Sequence, residues 1–186
     1  MHFNSYSHLK DKHAFLSPSK YHWINYDPEK LARMYVASQQ AARGTALHDL
    51  ADKLIKLEVK LKDNGSTLSR YVNDALGYRM SSEVTLFYSE NCFGHADAIG
   101  FRRNKLRIHD LKTGVSPTSE HQLEVYAALF CLEYNFKPVE IDIELRIYQN
   151  DDVQVFEGDP LIITHIMDRI ISFDKLIQKI RMEDTL

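Results

Sequence analysis

From Gly94 to Gly114 the chain reads GHADAIGFRRNKLRIHDLKTG, a stretch with few folds open to it. Residues two apart in an extended chain point to the same side. Asp110 and Lys112 therefore share a face, and Asp97, which lies thirteen positions before Asp110, opens a second alternating run with Ile99 and Phe101. Arg102 to Lys105 form a polar connection, so the segment predicts a β-hairpin. With the turn at Asn104-Lys105, Asp97 lies opposite Lys112 and diagonal to Asp110. With a loop from Arg102 to Lys105, Asp97 lies directly opposite Asp110. Either register brings two carboxylates and an ammonium together on one face. Such a group at a sheet surface suits divalent-metal hydrolysis of a phosphodiester.

The flanking sequence predicts alternating helices and strands. Asp27-Pro28 caps and opens a helix to about Gln40. Gly44-Thr45 is expected to break and restart it, after which Leu47, Leu50, Ala51, Leu54, Ile55 and Leu61 keep a helical stripe. Asn64-Gly65 is a turn, Thr67 caps a short helix and Gly77 ends it. Glu83 to Tyr88 reads as a strand ahead of the hairpin. Ser119 opens a helix to about Tyr134, closed by Lys137-Pro138. Ile141, Ile143, Leu145 and Ile147 alternate as a strand, Val153 to Phe156 form a short one, and Asp159-Pro160 caps a last helix through Ile180. The expectation is one α/β domain over 1–186: N-terminal helices over 1–80, then the sheet that carries the site, with its helices, over 81–186.

At 186 residues the chain suffices for one buried core. Its 44% apolar and 26% charged residues are those of a globular protein. No membrane span is expected, because no run approaches the roughly 18–20 apolar residues required. The N-terminal MHFNSYSHLKDKHAF has no apolar stretch of the secretory kind, and the expected compartment is the cytoplasm. A net charge of −3 argues against a protein that coats nucleic acid by global attraction. It leaves room for a local basic rim, either Arg102, Arg103, Lys105 and Arg107 or Lys10, Lys12 and Lys20. Cys92 and Cys131 are the only cysteines, too few for a zinc knuckle or a four-cysteine iron–sulfur cluster.

His48, in the run RGTALH, could point at a metal from beside the sheet or serve as a helix-surface residue; imidazole suits manganese better than magnesium. Gln122 and Tyr126 lie four apart on one face of the helix after Lys112. Gln122 also completes a Ser119-x-x-Gln capping box, and Tyr126 fits a core aromatic equally well. Glu83 and Glu120 read as surface charges. Two rival motifs are present. His48-Asp49 matches the pair of an all-helical phosphohydrolase, but the centre of this chain is strand. His95-x-Asp97 could begin a facial iron triad with His121 or His165, which leaves Asp110 and Lys112 without a purpose.

Taken together, His48 in RGTALH, Asp97 in GHADAIG, Asp110 and Lys112 in IHDLKTG, and Gln122 with Tyr126 in HQLEVYAAL resemble the PD-(D/E)XK nucleases. Within them the likeness is to the branch of the RecB nuclease domain, Cas4 proteins and phage-type recombination exonucleases. It covers roughly Gly44 to Tyr126. The resemblance implies a restriction-endonuclease-like core, a mixed central sheet flanked by helices. It implies Mg2+ or Mn2+ held by Asp97, Asp110, the backbone carbonyl of Leu111 and His48. Lys112 would orient the attacking water, and Gln122 and Tyr126 would position DNA, with Arg102, Arg103 and Lys105 as further DNA contacts. The implied activity is a DNA nuclease, an exonuclease rather than an endonuclease, acting in recombination, repair or phage DNA processing. Its partner would be a single-strand annealing or single-strand binding protein, and a homo-oligomer is compatible. The competing expectation is a non-catalytic nucleic-acid-binding or assembly subunit that keeps the fold. The chain departs from many relatives in lacking the four cluster cysteines, so no iron–sulfur cluster is expected, and in carrying Asp where many have Glu before x-Lys.

Overall fold

The hairpin turns on Arg103-Asn104, closed by the Arg102–Lys105 pair. Both turn residues are left-handed, with φ of 51° and 61°, the two-residue geometry that matches strand twist. Asn104 tolerates that conformation and is also anchored: its side-chain amide donates to the Glu140 carbonyl, and its own carbonyl accepts from the Asp142 amide. Phe101 pairs with Leu106 and Ala98 with His109. Of the two possible registers the chain adopts the one that sets Asp97 opposite Asp110.

The computed structural model of the chain describes residues 14–114 and 118–183, without the side chains of 19–21. The alternative basic group of Lys10, Lys12 and the Lys20 side chain lies outside the described residues. The elements are α1 Pro28–Lys56, α2 Thr67–Gly77, β1 Ser81–Ser89, β2 Cys92–Arg102, β3 Lys105–Leu111, α3 His121–Tyr134, β4 Asp142–Gln149, β5 Asp152–Glu157 and α4 Pro160–Glu183. Segments of 3-10 helix occupy Pro18–Asn25 and Pro138–Glu140.

The five strands form one sheet in sequence order. β3 and β4 are parallel and the other neighbours antiparallel, so the sheet is mixed. A parallel pair needs a crossover, which α3 supplies. Leu106, Ile108, Leu145 and Ile147 are fully buried in the cluster that also holds Leu123, Ala127 and Ala128 of α3 and Ile163 of α4. Each such aliphatic side chain contributes roughly 1.5–3 kcal/mol by leaving water. A second cluster joins Ala98, Leu111 and Tyr148 of the sheet to Tyr71, Val72 and Ala75 of α2 and to Ala51 and Ile55 of α1. Helices therefore flank the sheet, as expected of this α/β class. Among the described residues no helix is long and apolar enough to cross a membrane.

By its contacts the chain divides into two units, 1–45 and 46–186. Among the described residues of the first, Trp23 Nε1 donates to the Ser17 carbonyl at 3.0 Å and Phe15 meets Tyr35 edge-on. The second unit contains the whole sheet.

Several boundaries differ from the sequence expectation for local reasons. α1 runs through Gly44-Thr45 without a break. A glycine inside a helix costs only about 1 kcal/mol, and Thr45 Oγ1 satisfies itself by donating back to the Ala41 carbonyl at 3.3 Å. Ser66, rather than Thr67, caps α2, its Oγ accepting from the Ser69 amide at 3.3 Å. Thr67 is occupied elsewhere, its amide and Oγ1 both donating to Asp151 of the β4–β5 turn at 2.7 and 3.1 Å. α3 begins at His121, with Glu120 as a cap that makes no side-chain bond. The expected Ser119–Gln122 capping box does not form, because Gln122 is drawn into the site. Asp159 does cap α4, accepting from the Leu161 amide at 2.8 Å.

Candidate metal and hydrolytic site

Three acidic residues meet where β1, β2 and β3 run side by side. The pairs Ser82–Ala98 and Val84–Ala96 flank Glu83 and set it across from Asp97. The β2–β3 pairs end at Ala98–His109, one step before Asp97 and Asp110. There the Asp97 carboxylate takes over from the backbone: its Oδ2 accepts the Leu111 amide at 2.8 Å. This bond fixes Asp97 against the Asp110-Leu111-Lys112 strand end.

Glu83 is the only residue of β1 with positive φ, 50°. Ser82 before it donates to Asp52 of α1 at 2.7 Å, whereas Val84 and Leu86 after it pack in the cluster under α3. In a regular strand positions 82, 84 and 86 would share one face. The left-handed residue reverses the facing and turns the Glu83 carboxylate towards Asp97, as bulges do beside functional sites.

His48, on the last turns of α1, approaches from the side. Its Nδ1 lies 3.5 Å from Asp97 Oδ2, and that contact, with the charges of Asp110 and Glu83, holds the imidazole above its ordinary value despite burial. His48, Glu83 and Asp97 each offer a ligand atom within 4.8 Å of the others. Asp110 is only 4% exposed. Burial first, and Asp97 second, push its carboxyl above the ordinary range, while Lys112 pulls the other way. Glu83 is raised for the same two reasons.

Lys112 is held in a chain of hydrogen bonds. Its Nζ donates to Asp110 Oδ1 at 3.1 Å and lies 3.0 Å from Oδ2. It also donates to Gln122 Oε1 at 2.9 Å. Gln122 Nε2 donates to the Tyr126 hydroxyl at 3.2 Å, which in turn donates to the His95 carbonyl at 2.7 Å. The ring of Tyr126 rests against Gly94, where an added Cβ would come within 2.8 Å of it. Glycine is thus needed there for the ring to reach β2. Gln122 and Tyr126 are spaced one turn apart so that they tie the lysine to the sheet.

The structure thus joins His48, Asp97, Asp110, Leu111, Lys112, Gln122 and Tyr126. It does not bring Arg102, Arg103 or Lys105 to them, since these lie at the turn end of the hairpin, about 17 Å along the strand from Asp97 at the usual rise per residue. Glu83 is the participant that sequence reasoning read as a surface charge. The rival motifs are not assembled: Asp49 and His165 are exposed, His95 bonds Thr85 Oγ1 at 2.9 Å, and His121 pairs with Glu124 at 3.0 Å. Cys92 and Cys131 are free thiols; Cys131 is buried, which pushes it up to about 11.

Compared with known proteins, the chain matches no family model and no curated protein. Among solved structures, the crystal structure of SSO0001 covers 82% of this chain and 69% of its own, at 19% identity and a TM-score of 0.35, a likeness that carries no argument about fold or function.

Proposed function

We propose that the chain is a metal-dependent nuclease with a restriction-endonuclease-like core, hydrolysing phosphodiester bonds in DNA, and that it works as an exonuclease. The observation that carries this reading is the orientation of Lys112. It is fixed by Asp110 and Gln122 beside a second carboxylate, Asp97, which is itself pinned to the same strand end. A fold needs one acid to neutralise one lysine. Here the buried Asp110 holds the lysine, and a half-buried acid and a histidine act on Asp110 from beside it, joined by an exposed acid on left-handed backbone.

The donor set fits a hard divalent cation. Carboxylate oxygens with one imidazole suit Mn2+ and, less well, Mg2+. Asp110 Oδ2 is buried and lacks a hydrogen-bond partner of good geometry despite the nearby ammonium, which leaves a lone pair for a ligand. Asp97, Asp110 and His48, with the carbonyl of Leu111 and with Glu83, would hold the ion. When bound, such an ion polarises the phosphate and lowers the pKa of a coordinated water. Lys112 orients the attacking water and stabilises charge developing on the phosphate oxygens. Gln122 and Tyr126 act as positioning residues, holding Lys112 and facing the incoming strand. The partner that fits such an enzyme is a single-strand annealing or binding protein.

Digestion of end-labelled DNA by purified protein in Mg2+, Mn2+ and EDTA tests the reading. Mononucleotide release that depends on Mn2+ or Mg2+, and vanishes in Asp110→Ala, is the expected result. No cleavage in either metal, by protein that still unfolds cooperatively, would overturn it.

A further inference from the structure

The turn end of the hairpin carries a second concentration of charge that hydrolysis at the acid cluster leaves unused. Arg79, Arg102, Arg103, Lys105 and Arg107 line a depression of about 480 Å3, with Asp142 as the lining acid. Lys105 and Arg107 share one carboxylate, Glu144, at 2.9 and 3.2 Å. Arg107 also lies 4.4 Å from the centre of the Tyr78 ring, so this wall is rigidly built. Arg79, Arg102 and Arg103 are exposed, and among the described residues their side chains have no ion pair or hydrogen bond. In a chain of net charge −3 this is a local excess of cations that packing does not require.

Two of these arginines also occupy backbone conformations that favour another residue. Arg79 follows α2 with φ of 54°. Its amide donates to the Leu76 carbonyl and the Met80 amide to the Ala75 carbonyl, the helix ending at which glycine is preferred. Arg103 holds the first turn position with φ of 51°, where asparagine or glycine is preferred. Such strain persists where the side chain has a use.

We infer that this depression is a phosphate-binding site that holds the sugar–phosphate backbone of a nucleic acid, remote from the hydrolytic cluster. Guanidinium forks match phosphate oxygens in pairs, and the space exceeds that of a single phosphate. The inference rests on the proposed hydrolysis only in taking nucleic acid, rather than another polyanion, as the occupant.

The test is binding of fluorescein-labelled 20-nucleotide single- and double-stranded DNA in EDTA, followed by anisotropy across a salt series. Arg79→Gly, Arg102→Gln and Arg103→Asn, alone and combined, are compared with the wild-type chain, alongside competition by inorganic phosphate and pyrophosphate. Each single change should reduce the slope of log K against log salt by about 0.7–0.9, and the triple change should weaken binding at least tenfold. Arg79→Gly and Arg103→Asn should at the same time raise Tm by about 2–4 °C, because they relax left-handed backbone. Weaker binding by a more stable protein is a result that a merely structural role does not give. An unaltered slope in the triple variant, absence of DNA binding by the wild-type chain, or wild-type-like DNA binding with loss of only phosphate competition would each overturn the proposal. Altered binding in a protein that never cleaves DNA would leave this site standing while the hydrolytic reading falls.

Discussion

The two ends of one hairpin have opposite electrostatics, although the same pair of strands builds both. At the open end, Asp97 and Asp110 are drawn in behind α3, with Asp110 buried and Glu83 and His48 gathered beside them. At the turn end, Arg102 and Arg103 stand in solvent. Burial makes the difference. Carboxylates taken out of water raise each other's proton affinity and need a counter-charge, whereas solvated charges are screened within about 8–10 Å. The acid end is therefore a place where the fold tolerates electrostatic stress, and the basic end is one where long-range attraction comes at little expense. A site for chemistry and a site for capture are what such a division suits.

The largest effect should come from breaking the acid end. Asp110→Ala and Lys112→Ala are each expected to reduce cleavage by about 10²–10³ or more, the scale for losing one oriented electrostatic group. Initial rates on end-labelled DNA, with thermal unfolding as a check on folding, measure this. A near-wild-type rate in either variant would remove the acid end from the chemistry.

Stability should depend instead on a third region, the α2 face of the sheet. There the Tyr148 hydroxyl donates to Asp74 at 2.7 Å and lies 3.2 Å from Nδ1 of fully buried His109. Burial first, and Arg146 second, push His109 down to about 3. Tyr148→Phe strands these partners and should lower stability by about 1–3 kcal/mol, read by urea unfolding, with the per-molecule cleavage rate unchanged. Loss of rate without loss of stability would show that this network reaches the site.

His48→Ala sharpens the comparison more gently. It should raise the Mn2+ concentration for half-maximal rate by about tenfold or more, and an identical metal titration would return His48 to the role of a helix-surface residue. A smaller effect is expected from pH. The folded carboxyl of Asp110 is raised, so protonation favours the fold, and that contribution is lost as pH climbs from the ordinary carboxylate value through the raised one. Glu83 and His48 act in the same sense, with the exposed Glu83 discounted for solvent screening. In EDTA, Asp110→Asn should therefore gain on the wild-type chain in Tm as pH rises above the ordinary carboxylate value of about 4. Parallel pH profiles for the two proteins would mean that Asp110 carries no such burden.

Much of this was legible in the residues themselves. Period-two alternation placed Asp110 and Lys112 on one face, and the polar Arg102–Lys105 connection predicted the hairpin, because both follow from backbone geometry over a few residues. The α/β pattern and the proline-opened starts of α1 and α4 are equally local. The Ser119–Gln122 capping box failed because a local hydrogen bond competed with a tertiary one. Lys112 reaches Gln122 Oε1 from another element, and helix-start preferences contain no term for that.

By itself, then, the sequence determined which side chains could share a strand face, and left two hairpin registers open. Tertiary structure decided between them at Arg103-Asn104, where Asn104 gains the Glu140 and Asp142 bonds from a distant segment. It also decided the role of Glu83. A two-residue Glu90-Asn91 turn alone would set Glu83 across from Ala98. The register shift between Phe87 and Ser89 moves it across from Asp97, and its left-handed backbone re-aims it. A one-residue slip moves a side chain to the other face of a sheet, and whether it happens depends on how β1 packs beneath α3. The chain's own alternation carries no record of that packing.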